Sequence, residues 1–428
     1  MSERGVTTEP DLTNQLIGVI LRFRKEVVAI TADIEGMFLQ VRIPEDQRSY
    51  LRFLWWPNGD IDRKPEEYEM CSHTFGAICS PSCANFALRR TAMDNRENIG
   101  DDAADSLLRD FYVDDLLKSI KGTEEAIVLI PRLRKMCQAG GFNLTKFISN
   151  SPDVVESIPP ENRAPSIKEY EMSRKLPVER ALGVSWCVES DKLGFRICLQ
   201  DTPVTRRGIL STISSIYDVF GIASPFMLKG RKILQEITSG KHSWDDPVSD
   251  EHVVKWTEWR LQLPLLNSIS VNRCYKSEDF GESIDTSLHC FSDACFYGYG
   301  QVSYLRQVNR DGNIEVSLVM AKSRVSPLKP VTVPRLELTA AVLSTKVGST
   351  IKRELEYKEL NDTYWTDSMV TLGYIYNDVK RYRIFVANRT KKIRATTTKE
   401  QWRYIATKEN PADDRTRGIS LNEKRKGS

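Results

Sequence analysis

Histidine is scarce in this chain, with only four among 428 residues, and the nine cysteines include no Cys-x-x-Cys pair. Zinc sites and disulfide frameworks usually show such pairs or regular spacings. We therefore expect neither a zinc site nor disulfides, and the cysteine usage favours a reducing compartment.

Long apolar segments, internal repeats and low-complexity tracts are also missing. No run reaches the length of about 18 apolar residues that a membrane helix needs, and the N-terminus lacks the apolar core of a secretory signal. The chain is therefore expected neither to contact a membrane nor to be secreted. Its 40% hydrophobic and 28% charged residues are typical of globular proteins, and its length predicts two or three domains. The net charge of +3 neither requires nor excludes nucleic acid.

The first half of the chain combines helical and strand patterns. The predicted elements are a helix from Asp11 to Phe23, a buried strand at 27–33, paired strands at 107–112 and 116–120, and a helix from Thr123 that is interrupted or kinked at Pro131 and ends at Gly140.

The second half changes from helices to alternating strands and helices. Its predicted elements are a mainly helical stretch at 200–260, linkers at 241–250 and 272–283, strands at 288–304 and 314–321 around a turn at 309–313, a helix at 334–355, and strands at 363–367 and 401–406.

Three aspartates form the first candidate site. Asp33 ends the buried strand, while Asp114 and Asp115 lie in the turn between the paired strands. If these strands are neighbours, the carboxylates converge, and their repulsion calls for a cation such as Mg²⁺. The alternative is ordinary, because a strand-end aspartate is most often only a cap or turn residue.

The surrounding motifs favour the first reading. Residues 32–38 resemble the first catalytic motif of reverse transcriptases, and 111–115 resemble their Tyr-x-Asp-Asp hairpin. The segments 75–81, 139–146 and 182–186 resemble further palm motifs in the same order. Residues 34–38 and 51–56 are similar to the BEL/Pao group of LTR retrotransposons, so the chain resembles a fragment of their Pol polyprotein.

The resemblance implies a role for each matching residue. Asp33, Asp114 and Asp115 would hold two Mg²⁺ (or Mn²⁺) ions, with Asp115 the least direct ligand, and Phe38 would block a ribose 2′-hydroxyl. The remaining residues implied to contact the nucleotide or primer are Ile34, Glu35, Phe75, Gly76, Tyr112 and Lys146. Phe75 stands where many retroviral enzymes have Gln. Only 32 residues precede Asp33, so we expect incomplete fingers.

A second acidic set lies in the last third of the chain. Asp293, Glu337, Asp367 and Asp413 resemble, in order and setting, the Asp-Glu-Asp-Asp set of ribonuclease H, which would hold two further metal ions. Acids at strand ends are common, so the four acids alone are weak evidence. Asp414 makes the last position ambiguous, and residues 408–410 lack the histidine that the family often has before this aspartate.

The helical middle corresponds in position to a thumb and connection. Five basic residues are candidate phosphate contacts, although a solvated helix face is an equally good interpretation: Arg206, Arg207, Lys229, Arg231 and Lys232. Part of this region is often labelled a Pao-type peptidase in the family. The chain has no Asp-Thr/Ser-Gly loop, so we expect no proteolysis.

Together these patterns predict an α+β polymerase palm with a helical thumb or connection, followed by an α/β ribonuclease-H-like domain. The predicted boundaries are 1–190 for the palm with incomplete fingers, 191–280 for the thumb or connection, and 281–428 for the ribonuclease-H-like domain.

The predicted function is RNA- and DNA-templated DNA synthesis with hydrolysis of RNA in RNA–DNA hybrids. Its partners would be an RNA template, a DNA primer, the hybrid, dNTPs and other segments of the polyprotein. The expected location is a cytoplasmic retroelement particle, with the nucleus as the alternative. The competing hypothesis is a truncated, inactive remnant that still binds nucleic acid.

Overall fold

The structure, a computed structural model, describes residues 12–167, 178–240, 243–357, 359–379 and 381–418. The chain forms two compact units, residues 1–177 and residues 178–428. No helix in the described ranges is both long enough and apolar enough to cross a membrane. The predicted division into three domains stays a prediction.

The first unit is built on an antiparallel sheet of four strands in the order β4-β5-β1-β6, beside a separate two-stranded hairpin, β2-β3. Its elements are α1 (Leu16–Phe23), β1 (Val28–Ile34), α2 (Met37–Gln40), β2 (Arg52–Trp55), β3 (Glu66–Glu69), α3 (Ser80–Ile99), α4 (Asp101–Arg109), β4 (Phe111–Tyr112), β5 (Asp115–Ile120), α5 (Thr123–Ala139), β6 (Leu144–Ser149) and α6 (Pro152–Ser157).

The apolar alternation of β1 decides which way its aspartate points. Val28, Ile30, Ala32 and Ile34 are buried in one core with residues of α3, α4 and α5. Because successive side chains of a strand point to opposite faces, Asp33 lies on the face away from this helical core. The buried strand predicted at 27–33 is confirmed, one residue further along the chain.

Three details of the first unit differ from the sequence prediction. Residues 107–109 are not a strand but the end of α4, because Asp101 and Asp102 favour its N-terminus and its apolar residues recur at helical spacing. Helix α5 continues through Pro131 and ends at Gly140, as expected for its C-terminus. The first helix begins at Leu16, and the predicted cap Asp11 lies outside the described residues.

The second unit contains a small antiparallel sheet, a group of helices and a five-stranded mixed sheet. Its elements are β7 (Val178–Ala181), β8 (Val184–Cys187), β9 (Lys192–Gly194), α7 (Arg206–Ser215), α8 (Ser224–Ser239), α9 (Asp250–Arg260), β10 (Ser270–Asn272), β11 (Ser283–Ala294), β12 (Gly298–Asn309), β13 (Ile314–Val325), α10 (Val333–Leu355), β14 (Asn361–Thr366), α11 (Met369–Tyr376), α12 (Ile384–Arg394), β15 (Trp402–Tyr404) and α13 (Asp413–Arg417).

The five-stranded sheet has the order β13-β12-β11-β14-β15. Strands β11, β12 and β13 pair antiparallel with one another, whereas β14 runs parallel to both β11 and β15. Helix α10 packs against β11 and β12. The apolar run predicted as strand at 288–304 is two strands, because the N–H of Cys295 donates to the carbonyl oxygen of Gly298 at 2.8 Å and closes a turn.

Helices α7 to α9 confirm the helical stretch predicted at 200–260. They share a core with Trp256 and Trp259, whose rings lie 5.0 Å apart. A Cβ on Gly230 of α8 would lie 2.5 Å from the Trp259 ring, so only glycine allows this approach. The Ser323 hydroxyl of β13 donates to the carbonyl oxygen of Ser224 at 2.9 Å, which fastens α8 to the edge of the large sheet.

Candidate active sites

The first acidic cluster lies where β1 meets the β4–β5 hairpin. Asp33 faces Asp115 directly across the antiparallel pair, and Asp114 occupies the turn before β5. The N–H of Ile34 donates to the carbonyl oxygen of Asp114 at 3.0 Å and ties the turn to β1. The three carboxylates that the sequence predicted to converge are therefore brought together.

The turn itself carries backbone strain. Val113 adopts a φ of 58°, in the left-handed region that a β-branched residue rarely enters. Such conformations cost on the order of 1–3 kcal/mol and persist only where the surrounding structure enforces them. Here the hydrogen bond from Ile34 and the pairing of Tyr112 with Asp115 enforce the turn that presents Asp114.

Electrostatics at this cluster disfavour three ionised acids without a cation. Burial, followed by the charges of Asp114 and Asp33, raises the pKa of Asp115 from 3.8 to about 6. Burial also raises the pKa of Asp114, and Asp33 adds to this shift. Lys146 opposes both shifts, and its Nζ lies 2.8 Å from Oδ2 of Asp33. An all-carboxylate site with this need for positive charge fits a hard divalent ion such as Mg²⁺.

Phe38, in the short helix that follows β1, contacts a second aromatic residue. The rings of Phe38 and Phe75 meet edge to face with centroids 5.1 Å apart, and Phe75 is 69% exposed. Gly76 follows with a φ of 90°, and a Cβ there would meet no atom within 4 Å. The loop therefore presents an accessible aromatic ring next to a residue without a side chain. The ring of Phe38, in α2, packs against this aromatic ring.

The backbone of Ile34 and Glu35 was predicted to lie near the triphosphate. Both N–H groups are engaged within the fold, one with Asp114 as above and one with the carbonyl oxygen of Asn143 at 3.0 Å. The Asn143 side chain in turn donates to Oε2 of Glu35 at 2.8 Å. Sequence reasoning did not single out Asn143, although it stands inside the motif at 139–146.

The second acidic cluster gathers residues from four elements of the second unit. Ser292 of β11 and Thr366 of β14 are partners in the parallel pairing, so Asp293 and Asp367 follow them at the same edge of the sheet. Glu337 stands in the N-terminal part of α10, and Asp413 begins α13.

Hydroxyl and amide groups hold these acids in place. Thr416 donates to Oδ2 of Asp293 at 2.7 Å, and Ser368 donates to Oε2 of Glu337 at 2.5 Å. Asn410 donates to the carbonyl oxygen of Ser292 at 3.1 Å and anchors the loop before α13 to β11. The sequence prediction missed these supporting groups. Their residue types are common, and the only signal for them is that each lies close to one of the predicted acids, either along the chain or in the folded sheet.

The charge balance of this cluster resembles that of the first. Burial raises the pKa of both Asp293 and Glu337, and the charge of Asp367 raises each of them further. Oδ1 of Asp367 is buried, and among the described residues it has no hydrogen-bond partner. A buried carboxylate oxygen without a donor, beside acids that repel it, fits a divalent cation ligand.

The structure separates Asp413 from Asp414. Asp413 is half-buried, and its charge contributes to the raised pKa of Asp293, whereas Asp414 is exposed. Nε of Arg417 lies 2.8 Å from Oδ1 of Asp413. Asp413 is therefore the aspartate that belongs to the cluster.

The five basic residues proposed from sequence for the helical region have varied surroundings. Arg206 stacks on Trp244, with its guanidinium carbon 3.8 Å from the ring centroid, and Arg207 donates to both carboxylate oxygens of Asp245. The remaining three are Arg231, which donates to the carbonyl oxygen of Ser323, Lys232, which donates to Gln235, and Lys229, which is partly exposed on α8. Their role as phosphate contacts stays a prediction.

A basic groove of about 260 Å³ that the sequence analysis missed lies beside α10. Its charged lining residues are Arg324, Lys346, Arg389 and Lys392. The guanidinium of Arg389 donates to the Thr339 hydroxyl at 3.0 Å, two residues after Glu337. The groove therefore adjoins the helix that carries one acid of the second cluster.

Comparison with known proteins agrees with this architecture. Residues 205–368 match the family described as Pao retrotransposon-like RNaseH-like domain. The matched segment contains Asp293, Glu337 and Asp367 and begins within the stretch predicted as thumb or connection. No curated protein matches the chain.

Two solved structures of foamy viral protease-reverse transcriptase resemble the chain. One is a complex of its dRH form with double-stranded DNA, at 16% identity and a TM-score of 0.54, covering 95% of this chain and 60% of that one. The other is a complex with an RNA/DNA hybrid, at 12% identity and a TM-score of 0.55, covering 96% and 48%. The chain thus spans about half to three fifths of the length of these proteins, and the likeness concerns the fold alone.

The retrotransposon ribonuclease-H resemblance found in the sequence is thereby confirmed for residues 205–368, and the mixed α/β fold is confirmed, whereas the polymerase palm stays a prediction. The chain has a mixed α/β fold similar to that of foamy viral protease-reverse transcriptase, and its residues 205–368 match the Pao retrotransposon-like RNaseH-like domain family.

Proposed function

We propose that the second unit is a ribonuclease that hydrolyses the RNA strand of RNA–DNA hybrids. The observation that carries the proposal is the meeting of Asp293, Glu337, Asp367 and Asp413, in which the buried Oδ1 of Asp367 has no hydrogen-bond partner within the described part of the chain. These four acids would hold two Mg²⁺ or Mn²⁺ ions. When bound, such a pair of ions supplies a hydroxide nucleophile at neutral pH and charge stabilisation for the leaving oxygen.

The chain's own groups prepare this site. Thr416 holds one carboxylate oxygen of Asp293, and Ser368 holds one carboxylate oxygen of Glu337. The second oxygen of each acid therefore keeps a fixed direction. Groups that orient ligand side chains in this way strengthen metal sites. Arg389 and its basic neighbours in the groove would bind the phosphate backbone of the hybrid, since phosphate contacts position a nucleic acid without reading its sequence.

We further propose that the first unit carries out template-directed DNA synthesis on RNA or DNA. The supporting observation is the convergence of Asp33, Asp114 and Asp115, which would hold two Mg²⁺ or Mn²⁺ ions and bind dNTPs through them. Phe38, supported by Phe75, would exclude a ribose 2′-hydroxyl. Lys146 forms an ion pair with Asp33. When a metal ion binds Asp33, Lys146 would leave the carboxylate and neutralise a phosphate group instead.

The match to a retrotransposon family supports a role as part of a polyprotein. In that setting the remaining polyprotein segments would be partners of this chain, and the place of action would be a cytoplasmic retroelement particle. The RNA template and DNA primer would be substrates of the first unit, and the RNA–DNA hybrid would be the substrate of the second.

Asp367→Asn tests the ribonuclease site. We expect cleavage of a labelled RNA–DNA hybrid to fall more than about 100-fold, since even the loss of a group that only orients a metal ligand costs about 10–100-fold. The adjacent pair Asp413→Asn and Asp414→Asn provides a matched control, in which only the first change should reduce cleavage. Undiminished cleavage by Asp367→Asn would contradict the assignment.

The basic groove is tested by charge reversal. Lys346→Glu combined with Lys392→Glu should weaken hybrid binding and make the slope of log affinity against log salt shallower by about 2, because two phosphate contacts are lost. Lys192→Glu changes an exposed lysine on β9 that does not line the groove, and serves as the control. Equal losses for the control and the groove variant would argue against a specific groove.

Primer extension on an RNA template with Mg²⁺ or Mn²⁺ tests the polymerase. Asp114→Asn should abolish extension because it removes an acid that no neighbouring group replaces, whereas Asp94→Asn, an exposed residue of α3, should retain it. Extension that survives Asp114→Asn would refute the role of the hairpin. Folded protein that binds hybrid but never extends a primer would instead support the inactive nucleic-acid-binding remnant.

The raised pKa of Asp115 predicts a pH-dependent stability. Between pH 3.8 and about 6, the folded state keeps a proton that the unfolded chain has released, so the free energy of unfolding falls as pH rises through this window. Without metal ions, Asp115→Asn should therefore be more stable than the unmodified chain at pH 7.5, by about 1–3 kcal/mol, and much closer to it at pH 4.

Urea unfolding in the presence of a chelator measures this difference at both pH values. Addition of Mg²⁺ should then stabilise the unmodified chain more than the variant, since the cation favours the ionised acid. Parallel pH profiles for the two proteins would mean that Asp115 titrates normally in the fold.

A further inference from the structure

A compact group of one imidazole and two thiols lies in the first unit, apart from the three aspartates. His73, Cys79 and Cys83 each offer one ligand atom, and these three atoms all lie within 4.8 Å of one another. His73 is buried, the two cysteines are half-buried, and neither cysteine forms a disulfide. Nitrogen and sulfur ligands in this combination are those that Zn²⁺ prefers.

Backbone geometry explains why residues at these spacings meet. Cys79 directly precedes α3 and Cys83 lies one turn further on, with the N–H of Cys83 donating to the carbonyl oxygen of Cys79 at 2.9 Å. Two residues four apart on a helix share one face. The N–H of His73 donates to the carbonyl oxygen of Val41 at 3.0 Å, which holds the imidazole segment at the start of the helix.

A hydroxyl group orients the imidazole. Ser80 Oγ donates to the carbonyl oxygen of Thr74 at 2.8 Å and lies 3.4 Å from Nδ1 of His73. Because the Ser80 proton is directed to Thr74, the hydroxyl can accept a hydrogen bond from Nδ1, and in that tautomer Nε2 would be the nitrogen that binds the metal. Metal-binding histidines commonly have such a partner on their second ring nitrogen. The N-terminal end of α3 also favours the negative charge of two thiolates.

We propose that His73, Cys79 and Cys83 bind one Zn²⁺ ion, with water as the fourth ligand. Zinc–sulfur bonds of about 2.3 Å and zinc–nitrogen bonds of about 2.0 Å require the ligand atoms to close by roughly 1 Å, which side-chain rotation accommodates. Cys71 is exposed, and its thiol lies outside the group of three.

The bound ion would fasten the loop that carries Phe75 and Gly76. Both residues lie between His73 and Cys79, so a metal bond at each end closes the loop against α3. The ring of Phe75 packs on Phe38, in the helix that follows the strand of Asp33. Zinc would thus set the position of this aromatic pair without taking part in any reaction.

Metal content of the full chain tests the proposal directly. Protein stripped with a chelator, reloaded with Zn²⁺ and desalted should retain one zinc per chain by elemental analysis. Cys79→Ser and Cys83→Ser should each lose this zinc, while Cys198→Ser, an exposed cysteine of the second unit, should retain it. A zinc content unchanged by Cys79→Ser and Cys83→Ser together, or no zinc in the unmodified chain, would overturn the proposal.

Two measurements on the unmodified chain avoid the question of misfolded variants. Co²⁺ in place of zinc should give the visible absorption of a tetrahedral site with thiolate ligands. Zinc should also protect Cys79 and Cys83, but not Cys198, from alkylation, as located by peptide mass spectrometry. Alkylation unaffected by zinc, or a Cys79–Cys83 disulfide in protein kept under reducing conditions, would contradict the site.

Discussion

Mutual repulsion of half-buried carboxylates is the constraint on which both acidic sites depend. At each site a pairing between strands fixes the acids before any ion is bound. In the first unit Asp33 and Asp115 are direct partners across β1 and β5. In the second, Asp293 and Asp367 follow paired residues of β11 and β14. The fold thus maintains an arrangement of like charges that is unfavourable by itself, and burial together with this repulsion raises the pKa of Asp115 and Asp293.

The two units offset this repulsion in different ways. The first places a cation inside the cluster, since Lys146 forms an ion pair with Asp33. The second uses the hydroxyls of Thr416 and Ser368 at Asp293 and Glu337, pairs Asp413 with Arg417, and leaves Oδ1 of Asp367 without a partner among the described residues. A metal ion at the first site would therefore have to displace Lys146 from Asp33, and a metal ion held by Asp413 would compete with Arg417 in the same way.

The helices that precede the large sheet are structural neighbours of the second site. Helix α8 is fastened to β13 through Ser323 and Ser224, and Arg415 of α13 donates to the carbonyl oxygen of Ile222 at 3.2 Å. The family match accordingly begins at residue 205, with these helices, and continues through three of the four acids. The domain boundary predicted at residue 281 was placed where the helical pattern changes to a strand pattern. This position does not coincide with the start of the matched segment.

The sequence by itself determined the order of the elements and the identity of the acids. A continuous apolar run defined β1, and apolar residues at helical spacing defined α10 and the helices between 200 and 260. Short motifs marked Asp33, Asp114 and Glu337. Such signals are local, because they arise from the period of a helix or strand. Where two periods fitted one segment, as at residues 107–109, the apolar face buried against α3 and α5 decided for helix.

Only the tertiary structure decided which polar groups meet. It separated Asp413 from Asp414, brought Thr416 to Asp293, and gathered a basic groove from β12, β13, α10 and α12. It also joined His73 to Cys79 and Cys83, although composition had argued against a zinc site. These contacts depend on chain reversals and on strand register, and no pattern of neighbouring residues encodes distances between segments that the fold brings together.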